Sequence, residues 1–253
     1  MNFIAIIPAR YASTRFPGKP LADIGGMSMI ERVYTQATKA LEHVWIATDD
    51  QRIADEVNRF GGRVMMTSTT HRSGTDRCCE ALEKIEAETG LSFDVVINIQ
   101  GDEPFVDPSQ IKALMEQFRE PATDIATLAR PFPTGGSYDA IADPNVVKVV
   151  MGTNGKALYF SRSVIPFVRN VEKSEWVAHT PYFTHVGMYA YRVATLKEIV
   201  RLPQSSLELA ESLEQLRWLQ GGYNIRVGIT ELRTIGIDTP EDLAAARQYI
   251  ASL

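Results

Sequence analysis

Short apolar runs alternate with longer helical patterns over the first half of the chain. The predicted strands are Phe3–Ile7, Val44–Ala47, Val64–Met66 and Val95–Ile99, and the predicted helices are Met29–Leu41, Gln51–Phe60, Asp76–Glu88 and Pro108–Phe118. A strand without a polar face is buried on both sides, which is typical of a parallel sheet covered by helices. The alternation therefore predicts an α/β fold with a mostly parallel, twisted sheet and helices on both faces.

The pattern changes after residue 130. A loop rich in proline and glycine is followed by a predicted hairpin of Val146–Met151 and Ala157–Phe160, and then by an aromatic, strand-like stretch over Val164–Tyr191. We interpret residues 131–192 as a lobe inserted into a single domain that spans residues 1–253. The remaining predicted elements are a helix at Leu207–Leu219, a last strand at Arg233–Ile237 and a final helix that Thr239 caps and Pro240 opens.

Composition limits the classes of protein to consider. With 253 residues, of which 45% are hydrophobic, the chain can bury a full core. Its formal net charge of −5 argues against a nucleic-acid or anionic-membrane partner. The apolar run at Phe3–Ile7 ends at Pro8 and is too short for a signal peptide, so we expect a cytoplasmic protein without a membrane partner.

A cationic loop follows the first predicted strand. Arg10, Arg15 and Lys19 alternate there with small and hydroxyl residues such as Ser13. Ligands bind at the carboxyl ends of the strands in open α/β sheets, and a triphosphate requires charge neutralisation together with many hydrogen-bond donors. The loop is therefore predicted to bind phosphates, and the alternative is an ordinary solvated basic loop.

A second loop, THRSGTDR at residues 70–77, precedes a predicted helix. Ser73 and Thr75 have two interpretations that the sequence leaves equal: they contact a base or ribose, or they cap the helix.

Two carboxylates follow predicted strands farther along the chain. Asp102 lies in QGDEP and Asp238 in IGIDTPEDL. Mg²⁺ is commonly held by one or two carboxylates together with phosphate oxygens, so this pair could hold the metal opposite the cationic loop. The alternative for Asp238 is that it only supports the cap at Thr239. Neither GxGxxG after the first strand nor GxxxxGK[ST] occurs, which disfavours a dinucleotide oxidoreductase and a P-loop NTPase.

Motifs along the whole chain resemble one enzyme family. They are IIPARYASTRFPGKPL, IATDD, HRSGTDR, NIQGDEP, NVVKVV, ALYFSRSVIPF, HVGMYAYR, LELAESLEQLR and GIDTPEDL. The chain resembles the CMP-Kdo synthetases, the cytidylyltransferases that activate 3-deoxy-D-manno-octulosonate (Kdo). The resemblance implies a Rossmann-like nucleotidyltransferase fold, a homodimer formed through the inserted lobe, and Mg²⁺-dependent formation of CMP-Kdo and pyrophosphate from CTP and Kdo for lipopolysaccharide assembly. Thr184 and Asp50 differ from the family's commoner residues.

The resemblance also implies roles for individual residues. Those implied for CTP are Pro8, Ala9, Arg10, Ser13, Arg15, Lys19, Ser73 and Thr75, with Arg10, Lys19, Asp102 and Asp238 as the catalytic group and the two aspartates as Mg²⁺ ligands. Those implied for the sugar are Gln100, Arg162, His185, Tyr189, Glu214 and Gln215.

Four of the six sugar residues have another interpretation. Without the resemblance, Tyr189 is a core aromatic residue, Glu214 a partner of Arg217, His185 a histidine with its hydrogen bonds satisfied, and Arg162 a solvated edge residue. Two alternatives for the whole chain are a cytidylyltransferase for another acidic sugar, such as 8-amino-Kdo or a nonulosonate, and a nucleotide-sugar sensor without turnover.

Overall fold

The computed structural model describes residues 1–12, 16–233 and 236–252. Within it the chain forms two compact units, and the predicted lobe at 131–192 stays a prediction. The first unit contains Met1–Lys112, Ala190–Val200 and, where described, Thr234–Leu253, and the second contains Ala113–Tyr189 and Arg201–Arg233.

The strands and helices alternate as the sequence predicts over the first unit. The strands are β1 (Phe3–Ala9), β2 (Asp23–Ile24), β3 (Met27–Ser28), β4 (Val44–Thr48), β5 (Val64–Met66), β6 (Val95–Asn98), β7 (Ile125–Pro131), β8 (Lys148–Met151), β9 (Ala157–Ser161), β10 (Phe183–Arg192) and β11 (Ile225–Ile229). The helices are α1 (Met29–Thr38), α2 (Gln51–Arg59), α3 (Gly74–Thr89), α4 (Pro108–Glu116), α5 (Tyr138–Ala142), α6 (Trp176–His179), α7 (Val193–Ile199), α8 (Ser206–Glu211), α9 (Gln215–Gln220) and α10 (Pro240–Ala251).

Parallel strands form the centre of the first unit, in the order β6-β1-β4-β5. β1 pairs in parallel with β4 and with β6, and β4 pairs in parallel with β5. Ile4, Ala5, Ile6 and Ile7 have no exposed surface. The predicted α/β fold with a mostly parallel sheet is therefore confirmed. Its first strand is buried on both sides because an apolar run has no face that could remain in water.

In the second unit the strand order is β11-β7-β10, and β11 is parallel to β7. β8 pairs antiparallel with β9, which confirms the predicted hairpin. Val164–Tyr191 was predicted to be strand-like, but only the part from Phe183 onward is a strand. The helix α6 precedes that strand, and Trp176 of α6 packs into a hydrophobic cluster with Ile141.

The predicted helix over Leu207–Leu219 is two helices. α8 ends at Glu211, its C-cap Ser212 has a left-handed φ of 51°, and α9 begins at Gln215. Serine rarely adopts this conformation, so composition does not signal the break.

The predicted strand at Arg233–Ile237 is not found at its described positions. Residues 234 and 235 lie outside the described part of the chain. Ile237 instead donates its backbone N–H to the Asp102 carbonyl at 2.9 Å. Asp238 is therefore positioned by a contact with the loop after β6.

None of the described helices has the length and apolar character that crossing a membrane requires.

Candidate active site

A cavity of about 260 Å³ lies in the first unit, where the loops after β1 and β6 meet the start of α3. This is the carboxyl edge of the parallel strands, the usual ligand position in such sheets. The predicted site residues that line it are Pro8, Ala9, Arg10, Lys19, Ser73, Gln100, Asp102 and Asp238. Segments far apart in sequence are thus brought to one cavity. The predicted residues Ser13 and Arg15 lie outside the described residues.

Lys19 joins the two carboxylates of the cavity. Its Nζ lies 2.7 Å from Asp102 Oδ2 and 3.1 Å from Asp238 Oδ1, and its side chain is only 12% exposed. Asp102 and Asp238 therefore already face one cationic centre. Two converging carboxylates supply the hard oxygen ligands that Mg²⁺ prefers, so these residues fit the predicted metal.

The helix cap beside Asp238 is made by other groups. Thr239 Oγ1 accepts the Asp242 N–H at 3.2 Å, and Asp242 Oδ2 accepts the N–H groups of Asp238 and Thr239. The predicted cap at Thr239 is confirmed, while the Asp238 carboxylate contacts Lys19.

A glycine allows a close backbone approach in the cavity wall. A Cβ built on Gly101 would lie 2.9 Å from the Pro8 carbonyl oxygen, closer than real Cβ atoms come. The backbone at Pro8 and Gly101 therefore forms part of the wall, in keeping with the backbone contacts to cytosine that the resemblance implies at Pro8 and Ala9. Our sequence analysis missed Gly101, although its position directly before Asp102 was a signal.

Ser73 both caps α3 and lines the cavity. Its Oγ accepts the Asp76 N–H at 3.1 Å, and Asp76 Oδ2 accepts the Ser73 N–H at 3.3 Å. Thr75 is 2% exposed and is not among the lining residues. The structure therefore brings Ser73 to the cavity and leaves Thr75 in the core.

Three further side chains of this second loop, which the sequence did not lead us to predict, line the cavity. Arg77 lines the cavity, is 4% exposed, and donates to Asp49 Oδ2 at 2.8 Å and to Thr67 Oγ1 at 2.6 Å. His71 and Arg72 also line the cavity. The motif THRSGTDR contains all three of these residues, but only its hydroxyl groups were interpreted as possible ligand contacts.

His71 is held by Glu80 on α3. Burial alone would raise the pKa of the Glu80 carboxyl, but hydrogen bonds from Lys84, the Ser68 N–H and His71 outweigh it and lower the pKa to about 2. Glu80 is therefore a permanent anion behind the cavity wall.

Glu103 lies beside the carboxylate pair and behaves differently. Burial, with a contribution from the neighbouring Asp102 charge, raises the pKa of Glu103 to about 8. Its Oε2 is buried and has no hydrogen-bond partner among the described residues. Glu103 is therefore protonated more readily than an ordinary glutamate.

The other predicted sugar residues lie in the second unit. The His185 ring is 5.0 Å from the Phe160 ring and 5.3 Å from the Tyr189 ring, and its Nε2 lies 2.9 Å from Thr127 Oγ1. His185 and Tyr189 therefore share one aromatic cluster.

Glu214 and Gln215 stand at the start of α9. Glu214 pairs with Arg217 at 2.7 Å, as the alternative interpretation expected. Gln215 is 4% exposed, and its Nε2 has no hydrogen-bond partner within the described part of the chain. A buried amide of this kind is suited to a polar ligand.

Arg162 is partly exposed and donates to three backbone carbonyls. Its Nε, Nη1 and Nη2 donate to the carbonyls of Glu211 at 2.6 Å, Pro144 at 2.8 Å and Ser212 at 3.3 Å. Lys148, with no exposed surface, donates to the Asp143 and Val146 carbonyls beside it. Arg162 thus ties the end of β9 to the left-handed C-cap residue of α8.

We expect His185 to make stability depend on pH. Burial lowers the pKa of His185 to about 3, from about 6.5 when unfolded, so the unfolded state binds more protons between these values. Stability is then lost as pH falls through that window. Between pH 7 and pH 5 the wild-type protein should lose up to about 2 kcal/mol that His185→Gln does not lose. Urea unfolding at both pH values measures the difference.

His179 offers a matched control because it lies on the surface, with a side chain 52% exposed. The wild-type pH dependence should persist in His179→Gln. The same pH dependence in His185→Gln and the wild type would show that His185 is not desolvated.

Comparisons with solved structures place this fold in a known class. A structure titled CMP:2-keto-3-deoxy-manno-octonic acid synthetase complexed with CTP superposes with a TM-score of 0.89 at 42% identity, covering 100% of this chain and 99% of that one. A cytidylyltransferase from Leptospira borgpetersenii shares the fold with a TM-score of 0.65 at 13% identity, covering 100% of this chain and 88% of that one. Fold and site define an α/β nucleotidyltransferase.

Sequence comparisons give the family. The model of the family described as Cytidylyltransferase matches residues 4–225. A 3-deoxy-manno-octulosonate cytidylyltransferase of Phocaeicola vulgatus is 58% identical over 250 residues, covering 99% of this chain and 98% of that protein. One of Bacteroides thetaiotaomicron is 56% identical, with the same coverage of both chains. The chain belongs to the cytidylyltransferase family and, within it, to the 3-deoxy-manno-octulosonate cytidylyltransferases, which confirms the resemblance seen in its motifs.

Proposed function

We propose that this chain transfers CMP from CTP to the anomeric hydroxyl of Kdo, giving CMP-Kdo and pyrophosphate. The observation that carries the proposal is the cavity in which Lys19 joins Asp102 and Asp238 beside Arg10. It combines positive charge for a triphosphate with hard oxygen ligands for its metal. The close relatives named for this reaction support the same choice of substrates.

In this mechanism the anomeric oxygen of the sugar forms a bond to the α-phosphorus of CTP. At the same time the bond between the α-phosphorus and the oxygen that joins it to the β-phosphate breaks. The hydroxyl loses its proton, and pyrophosphate leaves with the electron pair. Arg10 and Lys19 neutralise phosphate charge, and the backbone at Pro8 and Ala9 holds the base. Catalysis is then mainly positioning and electrostatic stabilisation. No covalent enzyme intermediate is required.

Asp102 and Asp238 would hold Mg²⁺ through their carboxylate oxygens. The metal, when bound, supplies Lewis-acid polarisation of phosphate oxygens. The convergence of both carboxylates on Lys19 supports this assignment. Ser73 is proposed to contact the nucleoside from the cavity wall, and Ser13, Arg15 and Thr75 remain proposed CTP residues on the resemblance alone.

Gln100 remains a proposed sugar residue on the resemblance alone. In the second unit, the residues proposed to contact the acidic sugar are Arg162, His185, Tyr189, Glu214 and Gln215. The buried Gln215 amide supports this assignment, as does the polar edge that His185 gives to its aromatic cluster. We also propose that the chain forms a homodimer through residues 131–192 and that its product, CMP-Kdo, is used for lipopolysaccharide assembly. We also propose that the protein is cytoplasmic, because the co-substrate of the proposed reaction, CTP, is a nucleoside triphosphate.

The substrate is tested with the purified chain, CTP, Mg²⁺ and a panel of acidic sugars. Pyrophosphate release should be fastest with Kdo. Faster release with 8-amino-Kdo or a nonulosonate would identify another cytidylyltransferase, and tight CTP binding without release for any sugar would identify a sensor.

Arg162 is our proposed contact for the sugar carboxylate. Three of its five N–H donors go to backbone carbonyls, which leaves two in the described structure. Arg162→Ala and Arg162→Lys should both raise the KM for Kdo at least about tenfold, because an ammonium cannot reproduce the planar guanidinium. CTP binding by calorimetry should be nearly unchanged.

Arg201, an exposed residue of the same unit, gives the control variant Arg201→Ala. Its KM for Kdo should equal that of the wild type. An unchanged KM in both Arg162 variants would leave the sugar carboxylate without this partner.

A further inference from the structure

A cation outside the cavity packs against the loop that carries Arg10 and Lys19. Arg52, in the first turn of α2, places its guanidinium carbon 3.3 Å from the centroid of the Tyr11 ring. A guanidinium over an aromatic face is attracted to the electrons of the ring. Tyr11 directly follows Arg10, and neither Arg52 nor Tyr11 lines the cavity.

Asp50 fixes the orientation of this guanidinium. Its carboxylate oxygens accept from Arg52 Nε at 2.9 Å and from Arg52 Nη2 at 2.7 Å. Asp50 is itself held as the N-cap of α2, since its Oδ1 accepts the Arg52 N–H at 3.0 Å and its own N–H donates to Thr48 Oγ1 at 3.2 Å. A bidentate pair of this kind fixes the plane of the guanidinium.

Gly18 contacts Tyr11 from the other end of the loop. Its N–H donates to the Tyr11 carbonyl at 2.9 Å, and its φ of 72° lies in the left-handed region that favours glycine. A Cβ at this position would lie 3.1 Å from Tyr11 Cζ. Tyr11 directly follows Arg10, and its hydrogen-bond partner Gly18 directly precedes Lys19. Tyr11 is therefore connected to the backbone beside both cationic side chains of the cavity.

We propose that Asp50, Arg52 and Tyr11 form a latch that positions Arg10 and Lys19 for the triphosphate. The proposal rests on the proposed function, because it requires CTP to be the ligand of this cavity. Arg52 is a positioning residue: it holds Tyr11, and Tyr11 holds the backbone next to Arg10 and Lys19. A loop ordered before binding loses less conformational freedom when the nucleotide binds.

The test removes the guanidinium. Arg52→Ala should raise the Kd of CTP two- to fivefold in calorimetry with Mg²⁺, the size expected for an exposed cation–π contact. The Kd of CMP should rise less, because we propose that Lys19 contacts the β- and γ-phosphates, which CMP lacks. The KM for Kdo and the melting temperature should stay at the wild-type values. Arg52→Gln repeats the test with a longer polar side chain.

Arg59 provides the matched control. It lies at the other end of α2, carries the same charge and pairs with Glu31 and Glu56. Arg59→Ala should leave the Kd of CTP unchanged. Tyr11→Leu should weaken CTP binding as Arg52→Ala does, Tyr11→Phe should not, and Tyr11→Leu combined with Arg52→Ala should lose little more than either alone.

The outcomes separate the latch from the proposed function. If the wild-type protein binds CTP and both Arg52 variants bind it equally well, the latch is wrong and the function stands. An equal loss in Arg59→Ala also overturns the latch, because the charge of α2 would then explain the effect. A wild-type protein that binds no CTP contradicts the proposed function and the latch together.

Discussion

Asp102→Asn is expected to lower turnover at least about 100-fold while the protein keeps its fold. The change is nearly isosteric, but it removes one of the two anionic groups that converge on Lys19 Nζ. A loss of this size corresponds to about 2.7 kcal/mol of transition-state stabilisation, which is within what a positioned metal supplies. Initial rates of pyrophosphate release at saturating CTP, Kdo and Mg²⁺ measure it. Asp238→Asn should behave similarly.

Asp107 provides a carboxylate control close to Asp102. It accepts hydrogen bonds from Ser109 N–H and Oγ at the start of α4, and these bonds lower the pKa of its carboxyl. Asp107→Asn should reduce stability slightly and leave turnover intact. Near-normal turnover in Asp102→Asn would remove this residue from the site. A loss of thermal stability without a loss of turnover in Asp238→Asn would instead assign Asp238 to the helix start.

Lys19→Ala is expected to weaken CTP binding about ten- to a hundredfold and CMP binding much less. Lys19 is assigned to the outer phosphates, and a charge-assisted hydrogen bond is worth about 1.5–3 kcal/mol. The variant also leaves Asp102 and Asp238 facing each other without their shared cation. Calorimetric titration with each nucleotide in the presence of Mg²⁺ measures both effects.

The control is Lys39→Ala. Lys39 is an exposed lysine directly after α1, and it donates a hydrogen bond to Gln36 Oε1. Its affinity for both nucleotides should match that of the wild type. Equal losses for CTP and CMP in Lys19→Ala would contradict the assignment to the outer phosphates.

The first unit could be predicted from the sequence because its signals are local. A run such as Phe3–Ile7 has no polar face, so burial on both sides follows, and all parallel strands then place their following loops at one edge. This reasoning alone was sufficient to bring Lys19, Asp102 and Asp238 together. The prediction of a strand directly before Asp238 was wrong, because no strand is found at its described positions. Asp238 is positioned instead by the hydrogen bond from the Ile237 N–H to the loop after β6.

The second unit was harder to predict because its contacts involve backbone groups. Arg162 donates to three carbonyls, and a carbonyl has no sequence signature that would reveal it as a partner. The break between α8 and α9 depends on a left-handed serine, Ser212, where glycine is the usual signal. Arg77, in the first unit, was not predicted because THRSGTDR was interpreted only for its hydroxyl groups, and its ion pair with Asp49 has no local sequence signal.

The most direct test of the account is the product formed by the purified chain from CTP, Kdo and Mg²⁺. Mass spectrometry should detect CMP-Kdo in amounts equal to the pyrophosphate released, and the Asp102→Asn variant should form both at least about 100-fold more slowly. Release of CMP or pyrophosphate without CMP-Kdo, or CTP binding with no product at all, would contradict the proposal that this cavity transfers CMP to the acidic sugar.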